Sequence, residues 1–366
     1  MMQNRPFNTT YAPGPGQLSD AVRRDIKKAA DIGIAEISHR GAEFTAISKK
    51  AVEGIRDFFK LPEGYHVFFT SSATDVWTIA THNLIENAGF HFINGNFSAG
   101  FARTVEAFGK TAHRDEAEWG TQNNFAEASI PSEADLISVC FNETSTGVMA
   151  SNEDLRALRA RYPDKTIAVD VTSIAGVYDL DIAQGDLWYF SVQKAMGLPA
   201  GLGVIIASPA ALAKATRLSK TQHTGYFSLP AMAAKMEGKY QTIQTPNILN
   251  IYLLAEQLAR WQKQGGVERI EKQTRARANA LYDLFSSHAN AHPSARPFVQ
   301  NPKRRSISSI CIQADEATIA NWREKAQAQG LVLGTGYGKL KPTCIRLATF
   351  PGITDGEFEQ LVRFFD

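Results

Sequence analysis

Apolar positions along this 366-residue chain change their period in a regular order. Short runs that are apolar throughout alternate with stretches where apolar residues recur every three or four positions. Runs of the first kind suit strands buried on both faces, and the second kind suits amphipathic helices. Helical period starts after Ser19-Asp20, a good N-cap pair, and carries Val22, Ile26 and Ala29-Ala30. A second helix is expected over 43–60, ending at Leu61-Pro62-Glu63-Gly64. Strands and helices then alternate: strand His66–Thr70, helix 73–88, strand 91–94, helix 98–108, strand 136–141 and helix 152–161. Strands at Thr166–Asp170, 187–192 and Gly203–Ala207 follow. Serial β–α–β units predict an α/β large domain, its mostly parallel sheet flanked by helices.

From Asn247 the order differs. Helices are expected over 247–264 and 267–288, broken at Gly265-Gly266, then a loop over 289–305. Strands at 308–313, 331–334 and Cys344–Ala348 enclose a helix at 315–329, and a helix at 354–365 closes the chain. This predicts a smaller C-terminal α+β domain. The division is an N-terminal arm at 1–16, punctuated by Pro13-Gly14-Pro15-Gly16, a large domain at 17–250 and a small domain at 251–366.

Composition narrows the function classes. A formal net charge of +2, with no Lys/Arg tail, offers no basis for binding nucleic acid. No stretch approaches the roughly 20 apolar residues of a membrane span, and the first residues lack the apolar core of a secretory signal. Cys140, Cys311 and Cys344 have neither disulfide-framework nor zinc spacing, so reduced buried thiols and a cytoplasmic location are expected, with no metal.

Candidate chemistry gathers at expected strand ends. Thr166–Asp170 ends on a carboxylate, and the 187–192 run delivers Gln193-Lys194 into the glycine-rich Met196-Gly197-Leu198-Pro199-Ala200-Gly201. In one parallel sheet, Asp170 and Lys194 share the rim where α/β folds bind ligands. A desolvated lysine facing an aspartate suits Schiff-base chemistry on pyridoxal phosphate, and two unrelated surface charges is the plainer alternative. Thr70-Ser71-Ser72-Ala73-Thr74-Asp75 is either an anion site at a helix N-terminus or an ordinary N-cap. Phe97, after a strand end, is either a stacking face for a planar ring or core. Thr144, in Phe141-Asn142-Glu143-Thr144-Ser145-Thr146-Gly147, is either a hydrogen-bond donor to a ligand or part of a closed turn. Arg346 lies in an apolar strand, where burial is costly without a partner; it reads as a carboxylate clamp or a surface-facing arginine. Gly334-Thr335-Gly336-Tyr337-Gly338 lacks the following helix of a dinucleotide fingerprint, and a NAD-binding dehydrogenase fails for want of a glycine-rich first βα turn.

Together these segments resemble the class V aminotransferases of the fold-type I pyridoxal phosphate enzymes, nearly end to end. Phe7-Asn8, the Pro-Gly-Pro arm, Ile37-Ser38-His39-Arg40-Gly41-Ala42-Glu43-Phe44, Asn142-Glu143-Thr144 and the 24-residue Asp170–Lys194 offset look like the phosphoserine aminotransferase branch. Glu143-Thr144-Ser145-Thr146-Gly147-Val148 and Gln193-Lys194-Ala195-Met196-Gly197 are equally similar to the alanine–glyoxylate and serine–glyoxylate branch.

The resemblance implies a homodimer with shared active sites and pyridoxal 5'-phosphate as cofactor. Lys194 would be the Schiff-base lysine and Asp170 the pyridine-nitrogen partner. Phe97 would stack on the ring, where the phosphoserine branch usually has tryptophan, and Thr144 would bond the ring oxygen. Ala73, Thr74 and Gln193 would hold the phosphate with Gln244 and Thr245 of a second subunit. Arg346 would bind the substrate α-carboxylate, and His39 and Arg40 would reach across the dimer toward its distal group; apart from the resemblance, Lys339 is a source of positive charge for an acidic substrate. O-phosphoserine with 2-oxoglutarate is the expected pair, and alanine or serine with glyoxylate the alternative. The chain departs from many bacterial phosphoserine enzymes at Ser72-Ala73-Thr74, where they carry a glycine-rich turn with arginine. It departs again at Lys339-Leu340, where they carry His-Arg. A fold retained without catalysis is the expectation from a different class, and the intact Asp170, Gln193 and Lys194 set argues against it.

Overall fold

Seven strands make the central sheet of the computed structural model, which describes residues 7–287 and 293–366. They are β1 His66–Thr70, β2 Ala88–Ile93, β3 Thr111–Glu116, β4 Ala134–Cys140, β5 Thr166–Asp170, β6 Leu187–Ser191 and β7 Gly203–Ala207. Their spatial order is β1-β7-β6-β5-β4-β2-β3. β7 runs antiparallel to both neighbours, and every other pair is parallel. The sheet is therefore mixed and mostly parallel, as expected. Of the expected segments, residues 1–6 of the arm, residue 288 of the 267–288 helix and 289–292 of the loop lie outside the described residues.

The all-apolar runs are buried along their full length: Trp188, Tyr189 and Phe190 of β6 and Val204 to Ala207 of β7 are almost wholly inaccessible. β3 escaped the sequence reading because Thr-Ala-His-Arg-Asp-Glu carries charge and faces solvent. It is an edge strand, where charged side chains discourage pairing with another chain. Helices Pro209–Leu218 and Leu229–Met236 were also unanticipated; each starts with a serine cap and an early proline. The expected helix at 73–88 ends at Leu84, because Ile85 adopts an extended conformation.

A second, antiparallel sheet contains β8 Arg296–Pro297, β9 Ser309–Gln313, β10 Gly334–Thr335 and β11 Cys344–Ala348, in the order β8-β9-β11-β10. Helices Gly266–Ser287, Glu316–Ala328 and Asp355–Phe365 accompany it. The arm is tied to this region: Thr9-Thr10 pairs in parallel with Leu331-Val332, and the Ala348 amide donates to the Tyr11 carbonyl at 2.7 Å. Helix Ile248–Lys263 instead packs on helix Ala42–Phe58, with the Phe58 and Trp261 rings 5.8 Å apart.

One loop joins the two sheets. Asn142-Glu143 folds back on Val148-Met149 through Gly147, whose φ of +77° is one that glycine adopts without strain. The Asn142 amide donates to the Ser308 hydroxyl at 3.0 Å, and the Ser306 amide donates to the Gly147 carbonyl at 2.8 Å. Among the described residues, no helix is long and apolar enough to cross a membrane.

Candidate active site

The parallel strands end on a single rim, and the loops leaving it converge. β5 delivers Asp170 as its last residue; β6 ends at Ser191, and the chain continues to Gln193 and Lys194. A cavity there is lined by Ala73, Thr74, Phe97, Thr144, Asp170, Gln193 and Lys194. The sequence offers these seven residues on separate segments. Trp77, Cys140, Asn142, Thr172 and Ser191 complete the lining. Thr172 and Ser191 were legible in principle, since one sits two residues beyond Asp170 and the other ends the strand that leads to Lys194.

Lys194 and Asp170 are both buried. Burial holds the Lys194 amine below the usual lysine range, against the attraction of Asp170. Burial also raises the Asp170 carboxyl, opposed by hydrogen bonding from Thr172, whose amide donates to Oδ1 at 2.9 Å. The Lys194 Nζ donates to the Thr144 hydroxyl at 2.9 Å and lies 4.4 Å from the centre of the Phe97 ring. Among the described residues no ion pair forms between Lys194 and Asp170, and both groups line the one cavity.

Local folding explains the placement of the flanking groups. Ser72 and Asp75 form a capping box at the start of helix Ala73–Leu84; Asp75 accepts from the Ser71 and Ser72 amides at 2.9 and 3.0 Å. The Ala73 amide donates to the Ser191 hydroxyl at 2.7 Å, fixing this helix end against β6. The arm passes on another side, where the Gly16 amide donates to the Gln193 carbonyl at 2.8 Å. A Cβ at Gly14 would lie 3.3 Å from the Lys194 Cε.

Arg346 approaches from β11, half-buried. Its Nε donates to the Thr335 carbonyl at 2.7 Å and its Nη1 to the Thr144 carbonyl at 3.1 Å. Its guanidinium lies 5.3 Å from the Tyr337 ring, which in turn lies 5.3 Å from the Phe97 ring. Tyr337 was missed because its glycine-rich segment was weighed only as a nucleotide loop. Among the described residues Arg346 has no carboxylate partner within ion-pair distance.

The remaining candidates lie outside the Lys194 cavity. Lys339 is exposed, its Nζ 4.8 Å from the Trp119 ring centre. Gln244 and Thr245 line a separate pocket with Thr70, Ser71 and Asp75. Arg40, next to His39, donates to the Thr242 carbonyl at 2.6 Å and the Ile243 carbonyl at 3.0 Å. The structure thus brings 39–40 and 241–245 into one patch, and none of these residues lines their own chain's Lys194 cavity.

The donor set fits pyridoxal phosphate. It offers a buried amine for a carbonyl, a buried carboxylate for a ring nitrogen, and an aromatic face beside both. Among the described residues Asn142 Oδ1 is a buried polar atom without a hydrogen-bond partner, which a polar ligand in this cavity can satisfy.

Comparison with known proteins agrees. A phosphoserine aminotransferase from a Nocardioides species is 30% identical, matching over 99% of this chain and 95% of the relative. The crystal structure of a phosphoserine aminotransferase from Cytophaga hutchinsonii is 32% identical, with a TM-score of 0.91 over 97% of both chains. An alanine–glyoxylate aminotransferase from a Nostoc species shares the fold at 18% identity, with a TM-score of 0.81 over 100% of this chain and 96% of its own. The family model for class-V aminotransferases matches residues 7–349, and the chain is a member of that pyridoxal phosphate-dependent family.

Proposed function

We propose that this enzyme transfers the amino group of O-phosphoserine to 2-oxoglutarate. The observation that carries the reaction type is that the buried Lys194 amine and the buried Asp170 carboxylate line one cavity, with Arg346, which has no carboxylate partner among the described residues, close enough to act on the Lys194 charge. The substrate pair is supported by relatives of about one-third identity over nearly the whole chain, which bear the phosphoserine aminotransferase name.

Bound pyridoxal phosphate supplies an electron sink for the negative charge that develops at the substrate's α-carbon. Asp170 would face the pyridine nitrogen, Phe97 the ring, and Thr144 the ring oxygen. Ala73, Thr74 and Gln193 would hold the phosphate, joined by Gln244 and Thr245 of a second copy. Lys194 works as a base because burial favours its neutral amine. The Thr144 hydroxyl, already at 2.9 Å, orients that amine. Arg346 clamps the α-carboxylate with the N–H groups that its two carbonyl partners leave over.

A homodimer with shared sites accounts for the Arg40 patch. Arg40 braces the 242–243 carbonyls, and His39, Arg40, Gln244 and Thr245 can then be presented together to a partner's cavity. Lys339, exposed over Trp119, would have to swing toward the site to add positive charge for a substrate phosphate, which lysine binds as a point charge.

Transfer from alanine or serine to glyoxylate is the second reading. It is favoured by the position of Lys339, which is held over Trp119 rather than in the cavity. A spectral half-reaction distinguishes them: the cofactor-loaded protein is mixed in turn with O-phosphoserine, alanine and serine, and the visible band is followed. Rapid loss with O-phosphoserine alone supports the proposal. Loss with alanine or serine, but not O-phosphoserine, overturns it.

A further inference from the structure

Glu143 is fully buried and takes no part in the chemistry above, yet five donors converge on its carboxylate. Its Oε2 accepts from the Phe97 amide at 3.1 Å, the Ser98 amide at 2.9 Å and the Ser98 hydroxyl at 3.0 Å. Its Oε1 accepts from the Ser145 amide at 3.1 Å and the Ser145 hydroxyl at 2.6 Å. Ser145 Oγ in turn accepts from the Asn96 amide at 2.9 Å. The first three amides of helix Asn96–Ala107 are therefore held by Glu143, directly or through Ser145.

This helix cannot cap itself. Its N-cap position is Gly95, which has no side chain to offer. A Cβ there would sit 2.4 Å from the Glu143 Cγ and 2.5 Å from the Ser145 Oγ, so the glycine makes room for a cap from elsewhere. An ionised carboxylate suits the positive end of a helix. Phe97 is the second residue of this helix, and its ring faces Lys194 at 4.4 Å. Glu143 also adjoins Thr144, whose hydroxyl receives the Lys194 amine.

We infer that Glu143 is a positioning residue: as a cap supplied in trans, it fixes the Phe97 ring and Thr144 relative to Lys194, and so sets the shelf on which the cofactor ring lies. Only a carboxylate meets the demand. A glutamine has one acceptor oxygen, so its NH2 must face either the Phe97 and Ser98 amides or the Ser145 amide, donor against donor.

The inference rests on the reading of Phe97 as the ring shelf, and Phe97→Leu separates the two. The test compares wild type, Glu143→Gln and Phe97→Leu. Pyridoxal phosphate affinity is read from tryptophan quenching of the cofactor-free proteins, ring orientation from visible circular dichroism of the loaded proteins, and melting is recorded without cofactor. Glu143→Gln is expected to lower cofactor affinity by roughly ten- to a hundredfold and to weaken the visible dichroism. Wild-type affinity and dichroism in folded Glu143→Gln, with both impaired in Phe97→Leu, would overturn the positioning role alone. Wild-type behaviour in both variants would overturn the shelf reading and this inference with it. Should Glu143→Gln not fold, Ser145→Ala takes its place, with a smaller change in the same direction expected; unchanged affinity and dichroism there refute the inference.

Discussion

Replacing Arg346 by lysine isolates the geometry of its fork from its charge. A guanidinium has five N–H donors. Two are engaged, by the Thr335 carbonyl at 2.7 Å and the Thr144 carbonyl at 3.1 Å, which leaves three for a substrate carboxylate. Those two bonds also hold the plane of the group. A lysine keeps the charge but cannot bond two carbonyls and present a paired fork. If one charge-assisted hydrogen bond to the carboxylate is lost, the cost is about 1.5–3 kcal/mol. That corresponds to a fall of roughly ten- to 150-fold in kcat/KM. Because amino donor and oxoacid acceptor both carry an α-carboxylate, both half-reactions should lose by a similar factor. Cofactor affinity should not change, since Arg346 does not line the Lys194 cavity. The assay is single-turnover stopped flow on the cofactor-loaded enzyme, each substrate being varied in turn. A kcat/KM within twofold of wild type for every substrate would refute the clamp.

Lys194→Ala should abolish multiple turnover and the cofactor's visible band; full turnover in that variant would end the assignment of Lys194 as the reacting amine. Asp170→Ala should retain some cofactor but lose most of its rate, and turnover close to wild type would show that the ring nitrogen finds its charge elsewhere. Gly95→Ala should destabilise the protein severely, because the new Cβ would lie 2.4 Å from Glu143; a melting temperature equal to wild type contradicts the capping geometry. His91 is buried on β2 and its burial holds the pKa near 3, against 6.5 for a free imidazole. The native state therefore binds fewer protons than the unfolded one below pH 6.5, and stability should fall as pH drops towards 3. The loss is ~1.4 kcal/mol per pH unit, or about 2 kcal/mol by pH 5. Urea melts at pH 7 and pH 5 should show a shallower dependence for His91→Asn, and an identical slope would mean that His91 is not the group responsible.

Period and chemistry along the chain were enough to determine the α/β class, the position of most buried strands and the residues at their ends. Wherever both faces of a strand are covered, as at Thr166–Asp170 and Leu187–Ser191, the sequence is apolar between the strand's ends and can be read without its neighbours. The polar edge strand Thr111–Glu116 shows the converse, since its pairing with Ala88–Ile93 leaves no apolar trace. The seven cavity residues were legible for the same reason: each follows a recognisable strand or opens a recognisable helix, and a parallel sheet brings such ends to one rim. What the sequence could not decide is which side chains from distant segments meet. Tyr337 connects Phe97 to Arg346 only because the loop after β10 meets the helix that starts at Asn96. Glu143 became significant only when the loop after β4 was seen to cap a helix that begins some fifty residues earlier in the chain. Arg40 and the 241–245 segment, two hundred residues apart, share a patch through carbonyl hydrogen bonds that carry no signature in side-chain type. Local period follows from the geometry of one element, whereas these contacts depend on the packing of several, and that is settled in three dimensions alone.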